Sequence, residues 1–180
     1  MSAILPPAER VWWNQPIDKL EFTWIAISLV WALTMFVMMI WWHLKGDQNL
    51  ANETYRTTPD VYMSKAQAVV DKYTVRTDAT DQQTPVVAPP AGSDIYLVAR
   101  LWSWWPIYEL EHGKTYKLHL SSMDYMHGFS LQPQNINIEV HPKYDHVIKI
   151  TPNLAGTYSI VCNEYCGINH HTMAGRIYVK

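Results

Sequence analysis

The sequence predicts a small all-β domain, a sandwich or Greek-key barrel, attached to one N-terminal transmembrane α-helix. Residues 22–42 (FTWIAISLVWALTMFVMMIWW) contain no charged residue. Residues 91–180 hold short segments rich in β-branched and aromatic residues, separated by turn signals such as HPKYD and PNLAG. These features divide the 180-residue chain into an anchor at 1–45, a connecting region at 46–90 and a β-domain at 91–180.

The apolar run at residues 22–42 has the length of a membrane-spanning helix. Its 21 residues, at about 1.5 Å each, give roughly 31 Å of helix, which matches the hydrocarbon thickness. Trp24, Trp41 and Trp42 lie near its ends and Trp12–Trp13 precede it, as expected for interfacial side chains. A soluble core helix rarely stays apolar on every face for this length, and no signal-peptide cleavage site follows Trp42. We therefore expect a retained anchor.

The charge distribution excludes one class of partner and says little about orientation. The formal net charge is -2 and no block of like charges occurs, which argues against nucleic-acid binding. Arg10 and Lys19 precede or begin the anchor, whereas Lys45, Arg56 and Lys65 follow it. By the positive-inside rule this bias weakly favours a cytoplasmic position for the C-terminal part.

The connecting region contains one predicted helix, at residues 59–72. Thr58 would be its N-cap and Pro59 its first helical residue. Its apolar side chains could face the membrane surface, a partner subunit or the domain surface, and the sequence leaves these alternatives open. These side chains are Tyr62, Ala66, Val69, Val70 and Tyr73. Residues 77–94 then form a polar, Pro-rich linker with little reason to fold, so we place the domain boundary near Ala91.

The end of the chain concentrates residues that can bind a soft metal ion. The stretch IVCNEYCGINHHTM brings together both cysteines, Cys162 and Cys166, with His170 and Met173. Thiolate and thioether ligands favour copper or zinc over magnesium or calcium. A mononuclear blue-copper site uses one thiolate, so this loop has one too many. Two thiolates could instead bridge two metal ions, with His127, at a predicted strand–loop junction, as a further ligand.

Two simpler interpretations stay open on these residues alone. Cys162 and Cys166 could form a disulfide in an oxidising compartment, which would leave His170 and Met173 without a role. Zinc would accept the thiolates and imidazoles, although a thioether is a poor zinc ligand. The other histidines lack partners at ligand spacing, and we expect them on loops or strand surfaces. They are His43, His112, His119, His141 and His146.

Two motifs resemble subunit II of cytochrome c oxidase, which carries the binuclear copper centre CuA. CNEYCGINHHTM matches C-x-E-x-C-x-x-x-H-x-x-M, and DYMHGF resembles the upstream D-x-x-H-[SG]-F element. The resemblance covers the β-domain, and the single anchor is similar to that of the B-family haem-copper oxidases. It implies a cupredoxin-like Greek-key barrel in which six residues bind copper. They are Cys162 and Cys166 as bridging thiolates, His127 and His170 as imidazoles, Met173 as a weak ligand and Glu164 through its backbone carbonyl. His171 matches no ligand position.

The resemblance also implies a function and a location. The chain would accept electrons from a cytochrome c-type donor and pass them to haem in subunit I, where O2 is reduced to water with proton translocation. It places the β-domain on the periplasmic or outer side of a bacterial or archaeal plasma membrane, against the weak charge bias. The Glu164 carboxylate could also help hold a magnesium ion at the subunit I interface, where many B-family members have glutamine.

The stretch LWSWWPIY contains three candidates for a donor-docking surface, Trp102, Trp104 and Trp105. Family members carry aromatic residues in this region near the copper, so we expect at least one of the three to contact the donor. Packing within the domain or contact with the membrane is the alternative. From Ala91 onward, acidic and basic residues are equal in number, which predicts docking through an apolar patch with weak salt dependence.

Two other functions fit part of this pattern. A CuA-bearing subunit of a nitric oxide reductase would carry the same electron-accepting domain, and only the catalytic partner would distinguish it. A membrane-anchored copper-delivery protein or mononuclear cupredoxin would use fewer ligands than the full set that the motif supplies.

Overall fold

A computed structural model describes residues 16–46, 53–80 and 83–180, and contacts divide the chain into two units, residues 1–48 and 49–180. The first unit contains helix α1, Lys19–Lys45. Asp18 begins it with a capping box, because its carboxylate accepts a hydrogen bond from the backbone N of Glu21 (2.7 Å) and the Glu21 carboxylate accepts one from the Asp18 N (3.2 Å).

Helix α1 has the length and composition of a membrane-spanning helix. Its 27 residues extend three positions beyond the expected range of 22–42 at each end, and none of its side chains is buried in the protein. The polar capping residues explain the earlier start, since they belong to the helix although they lie outside the apolar run. Trp12–Trp13, expected at a membrane interface, lie outside the described residues.

In its described residues, the second unit consists of two β-sheets, one α-helix and a short 3-10 turn at His170–Thr172. The elements are β1 (Glu53–Arg56), α2 (Pro59–Tyr73), β2 (Thr74–Asp78), β3 (Thr84–Val87), β4 (Asp94–Arg100), β5 (Ser103–Trp105), β6 (Ile107–Leu110), β7 (Tyr116–Ser122), β8 (His127–Gln132), β9 (Ile136–Val140), β10 (Tyr144–Ile150), β11 (Gly156–Cys162) and β12 (Ala174–Val179). One sheet has the order β1-β10-β7-β4-β5 and the other β2-β3-β6-β12-β11-β8-β9. Most neighbours are antiparallel, with parallel pairs at β4–β7, β3–β6 and β6–β12.

The two sheets share one hydrophobic core, which confirms the predicted β-sandwich. Leu97, Leu118 and Ile148 enter it from the five-stranded sheet, and Phe129 and Ile160 enter it from the seven-stranded sheet. Strand β7 shows the cause, since its burial alternates along the first half of the strand and places successive side chains on opposite faces.

The connecting region differs from the expectation of an unfolded linker that ends near Ala91. Strand β3 lies within the Pro-rich segment and pairs in parallel with β6, and its Val86 and Val87 side chains are fully buried. Strand β2 pairs with β3, and β1 pairs with β10 at the edge of the other sheet. The two valines gain enough by burial to add this segment to the sheet despite the prolines around it.

Helix α2 begins as predicted and ends one residue later than the predicted range of 59–72. Thr58 caps it by accepting a hydrogen bond from the Val61 backbone N at 3.5 Å. Tyr62, Ala66 and Val70 are buried, and the Tyr62 hydroxyl donates to the carbonyl oxygen of Leu97 in β4 at 3.0 Å. Of the three alternatives left open by the sequence, the helix therefore adopts the third, because its apolar face packs against the surface of its own domain.

Candidate metal centre

The candidate ligands meet at one end of the seven-stranded sheet. Strand β8 begins with His127, β11 ends with Cys162, and β12 begins immediately after Met173. Strand β11 lies between β8 and β12, so the register of the two antiparallel pairs fixes where these residues lie. Cys166 and His170 follow in the loop that joins β11 to β12, residues 163–173, called the metal loop below. The sheet therefore positions both ends of this loop beside the first residue of β8.

The two sulfur atoms of the cysteines lie at the centre of the cluster. Cys162 Sγ is 3.7 Å from Cys166 Sγ and 3.9 Å from His127 Nδ1. Cys166 Sγ is 3.6 Å from His170 Nδ1 and 3.8 Å from Met173 Sδ. Both thiols are free, and their separation is far beyond the roughly 2.05 Å of a disulfide bond. The structure therefore does not support the disulfide alternative.

The cluster is shielded from solvent on most sides. His127 is fully buried, and Met173, Cys162 and Cys166 are 1%, 4% and 7% exposed. His170 is half-buried in a short 3-10 turn at the protein surface. Burial raises the pKa of the Cys166 thiol to about 11, and the neighbouring Cys162 contributes to the rise. Metal binding would therefore release thiol protons, since thiolate is the ligand form.

Glu164, predicted to bind copper through its backbone carbonyl, has that carbonyl at the cluster. Its carbonyl oxygen lies 3.2 Å from Cys162 Sγ, and its side chain is half-buried. All six predicted ligands are therefore brought together. Among the residues that the structure describes, His127, Cys162 and Cys166 are the one group of three or more His, Cys, Asp or Glu side chains spaced to hold a metal ion.

His112, His119, His141 and His146 have structural partners outside the cluster. His112 Nε2 contacts the carbonyl oxygen of Asn153 at 2.9 Å on the surface. His119 differs from the expectation of a simple surface position, because it contacts the Asp145 carboxylate at 2.9 Å and stacks on Tyr96. None of these contacts brings another histidine to the thiols.

Asp124 is a site residue that belongs to the DYMHGF motif but received no role from the sequence. One carboxylate oxygen lies 2.7 Å from His127 Nε2 and 2.7 Å from the backbone N of Tyr125, and the other accepts from the Leu101 N at 2.7 Å. Burial raises the pKa of Asp124, but these hydrogen bonds outweigh it and hold the pKa below its usual value. With Nε2–H donated to Asp124, the Nδ1 lone pair of His127 faces the thiols.

The three tryptophans differ in their surroundings. Trp104 is 3% exposed and packs edge-to-face against His127, with ring centroids 6.3 Å apart. Trp102 is half-buried and covers Gly167 in the metal loop, where a Cβ would lie 3.4 Å from its Nε1. Trp105 is half-buried, with the Arg100 guanidinium 6.0 Å from its ring. Trp104 therefore supports a ligand from inside, whereas Trp102 and Trp105 reach the surface.

A close backbone contact also holds the metal loop against β8. The Asn163 backbone N donates to the carbonyl oxygen of Gly128 at 3.3 Å, and the Asn163 side chain donates to Asn137 Oδ1 at 2.9 Å. Gly128 follows His127 directly, so this contact fixes the distance between the first ligand and the loop. The sequence alone assigns no role to either residue, although glycine is one of the two residues that the motif allows here.

The donor set determines which metal these residues suit. Two thiols, two imidazoles and a thioether are soft or intermediate ligands, which suit copper. Zinc would use the thiolates and imidazoles but would gain little from Met173, which is buried against Cys166. The residues present therefore fit copper.

Several known proteins are similar to this chain in sequence or in fold. The chain is 32% identical over 171 residues to a cytochrome c oxidase subunit 2 of Thermus thermophilus, covering 93% of this chain and 95% of that protein. A second cytochrome c oxidase subunit 2 from Thermus thermophilus is 35% identical over 115 residues, which cover 62% of this chain and 85% of that protein. A chain of a heme-copper terminal oxidase dimer solved by cryo-EM has the same fold, with a TM-score of 0.59, 20% identity and coverage of 90% of this chain and 100% of that chain. No family model matches the sequence. The identity and coverage show that this chain belongs to the cytochrome c oxidase subunit 2 family.

Proposed function

We propose that this subunit accepts electrons for a terminal haem-copper oxidase at a binuclear CuA centre. The observation that carries the proposal is a pair of free thiols, 3.7 Å apart, with a separate imidazole beside each sulfur atom. The proposed ligands are His127, Cys162, Cys166, His170, Met173 and the carbonyl oxygen of Glu164.

The symmetry of these contacts favours two metal ions over one. A single copper ion bound by one thiolate would leave the second thiol buried and unused at 7% exposure or less. Both sulfur atoms instead lie between His127 on one side and His170 on the other. When bound, a copper pair held by Cys162 and Cys166 would supply reversible one-electron transfer.

The residues around the ligands would hold the centre rigid and dry. Asp124 fixes the orientation of His127 through Nε2, and Trp104 packs against the same ring. Met173, 1% exposed, closes the inner side, which excludes water from the thiolates. A rigid, dry site changes little in shape between oxidation states, and this favours fast electron transfer.

We propose that a cytochrome c-type donor docks over the metal loop. Tyr165 and Ile168 in this loop are 78% and 81% exposed, and Trp102 and Trp105 reach the surface nearby. These apolar side chains support docking through an apolar patch with weak salt dependence. A steep fall of the association rate with added salt would contradict this.

The proposed assembly places the copper domain on the outer side of the plasma membrane, with α1 as the anchor. Its partner would be subunit I, which would carry haem and reduce O2 to water with proton translocation. Purification with an O2-reducing partner would support this assignment, and an NO-reducing partner would instead assign the chain to a nitric oxide reductase.

Electron paramagnetic resonance of the copper-loaded, detergent-solubilised chain tests the centre itself. Hyperfine splitting from two equivalent copper nuclei is expected, and splitting from one nucleus would refute the proposal. The His170→Ala variant should change the spectrum. The His171→Ala variant, which alters the exposed neighbouring residue, should not. The Cys162→Ser variant should lose the two-nucleus pattern.

The magnesium role proposed for Glu164 needs a separate test. Its half-buried carboxylate belongs to the metal loop, so it could reach a cation at the interface with subunit I. The variant Glu164→Gln keeps the backbone carbonyl and therefore the proposed copper ligand. Lower magnesium content in the assembled oxidase is expected, and unchanged content would remove the role.

A further inference from the structure

Asn163 is the residue between two proposed ligands of the metal centre, Cys162 and Glu164. The carbonyl oxygen of Glu164 lies 3.2 Å from Cys162 Sγ. Because peptide bonds are planar, the two backbone dihedral angles of each residue set the course of the chain. A change of these angles at Asn163 would therefore move the carbonyl oxygen relative to the sulfur atom.

The Asn163 side chain connects the metal loop to a strand with which β11 does not pair. Strand β8 lies between β11 and β9 in the seven-stranded sheet. The Asn163 amide lies over Gly128 of β8, since its Oδ1 is 2.0 Å from the position that a Cβ would take on this glycine. Its Nδ2 donates to Oδ1 of Asn137 in β9 at 2.9 Å. The side chain therefore spans β8 and attaches the start of the metal loop to β9.

Backbone hydrogen bonds restrain this end of the metal loop less than the other end. The bond from the Asn163 backbone N to the carbonyl oxygen of Gly128 is 3.3 Å long, beyond the usual range of about 2.7–3.2 Å. Among the loop and turn backbone bonds of the described residues, none involves residues 164–166. The 3-10 turn at the other end has its own backbone bonds at 3.0 to 3.1 Å. The side-chain bond to Asn137 is therefore the shorter of the two hydrogen bonds that restrain Asn163.

We propose that Asn163 is a positioning residue for the copper centre and that Asn137 is its partner. The hydrogen bond between the two amides would hold the peptide between Asn163 and Glu164 in place, so that the Glu164 carbonyl oxygen stays at Cys162 Sγ. Groups that orient a ligand tune the bound metal as well as its affinity. Neither asparagine side chain is a proposed ligand, and the inference rests on the CuA function proposed above.

Visible absorption and electron paramagnetic resonance of the copper-loaded, detergent-solubilised chain test this role. Asn163→Ala and Asn137→Ala should change both spectra in the same way, because each removes the same hydrogen bond. Copper affinity, measured by chelator competition, should fall about 2–10-fold in both, the loss expected for one hydrogen bond. Asn137→Asp keeps an acceptor for Asn163 Nδ2 and should give the wild-type spectra. Asn169→Ala is the matched control, since Asn169 is exposed in the same loop and its side chain caps no turn.

Guanidinium denaturation without added metal distinguishes positioning from a purely structural role. A lower free energy of unfolding in Asn163→Ala, together with wild-type spectra and copper affinity, would overturn the proposal. The same change of spectra in Asn169→Ala, or an Asn137→Asp variant that behaves like Asn137→Ala, would also overturn it. The CuA function is tested separately by the unsubstituted chain, where splitting from one copper nucleus would refute a binuclear centre. The positioning role is measured as the difference between each variant and that chain.

Discussion

Replacing Gly128 by alanine tests how strongly the contact between β8 and the metal loop is constrained. A Cβ on Gly128 would lie 2.0 Å from Asn163 Oδ1 and 2.7 Å from the backbone N of Glu164. The Asn163 side chain could rotate away at the loss of its hydrogen bond to Asn137. The backbone N of Glu164 has no such freedom. Relief of that contact would move the residue whose carbonyl oxygen faces Cys162 Sγ.

The expected loss of stability in Gly128→Ala follows from these contacts. Overpacking of a tight site costs about 1–3 kcal/mol, and the lost asparagine hydrogen bond costs about 1 kcal/mol. Alanine in a strand would otherwise stabilise by roughly 0.5–1 kcal/mol relative to glycine. We therefore expect Gly128→Ala to lower the free energy of unfolding by about 1–3 kcal/mol, because the fixed backbone contact outweighs the gain in propensity.

Guanidinium denaturation of the chain without added metal, followed by tryptophan fluorescence, measures this loss. The matched variants are Gly128→Ala, Asn163→Ala and the double variant. Removing the Asn163 side chain relieves the 2.0 Å contact but not the 2.7 Å contact with Glu164, so the double variant should recover part of the loss. Wild-type stability in Gly128→Ala, or a double variant whose loss equals the sum of the single losses, would refute this reasoning.

Two other predictions concern carboxylates that are half-buried, Asp124, or buried, Glu109. Asp124→Asn leaves at least one of three N–H donors without an acceptor and weakens the orientation of His127. Copper affinity, measured by chelator competition, should therefore fall about 10–100-fold. Unchanged affinity would contradict this prediction. Glu109 is 8% exposed and contacts Arg76 at 2.5 Å and also Lys180. Burial raises the pKa of Glu109, but the hydrogen bonds from Lys180 and Arg76 outweigh it and lower the pKa. The contribution of ionised Glu109 to folding stability is therefore present above the unfolded-state pKa of about 4.3. It is lost as the pH falls through the lower folded-state pKa. Glu109→Gln should lower the free energy of unfolding by about 1 kcal/mol at pH 7 and by much less in strong acid. Denaturation at several pH values measures this difference, and a difference that does not change with pH would contradict the prediction.

The sequence was most informative where the chemistry is local. Cys162, Cys166, His170 and Met173 fall within one loop, so their spacing alone limits how far apart they can lie. His127 is distant in sequence, and the residues alone suggested it only as a histidine at a strand–loop junction. The pairing of β8 with β11 brings it to Cys162, and that register is a property of the whole sheet.

The sequence was less informative where the environment depends on distant strands. Trp102, Trp104 and Trp105 are equivalent by composition, and pairing of β5 with β4 turns Trp104 inward. The same holds for β3, which looks like a linker because of its prolines. Its strand assignment depends on parallel pairing of Val86 with Ile107, two residues separated by two intervening strands. Local propensity contains no information on such a partner.

The position of the metal loop between two paired strands explains how a surface loop can hold a rigid site. The Cys162 backbone N donates to the carbonyl oxygen of Met173 at 3.1 Å, and the Met173 N donates to that of His170 at 3.1 Å. The loop is therefore closed at its base by the β11–β12 ladder, and it cannot open without breaking strand pairing. Its exposed tip, with Tyr165 and Ile168, has no such backbone bond to the core within the described part of the chain. The tip can therefore change to suit a partner while the residues at the base keep the spacing of the sulfur atoms.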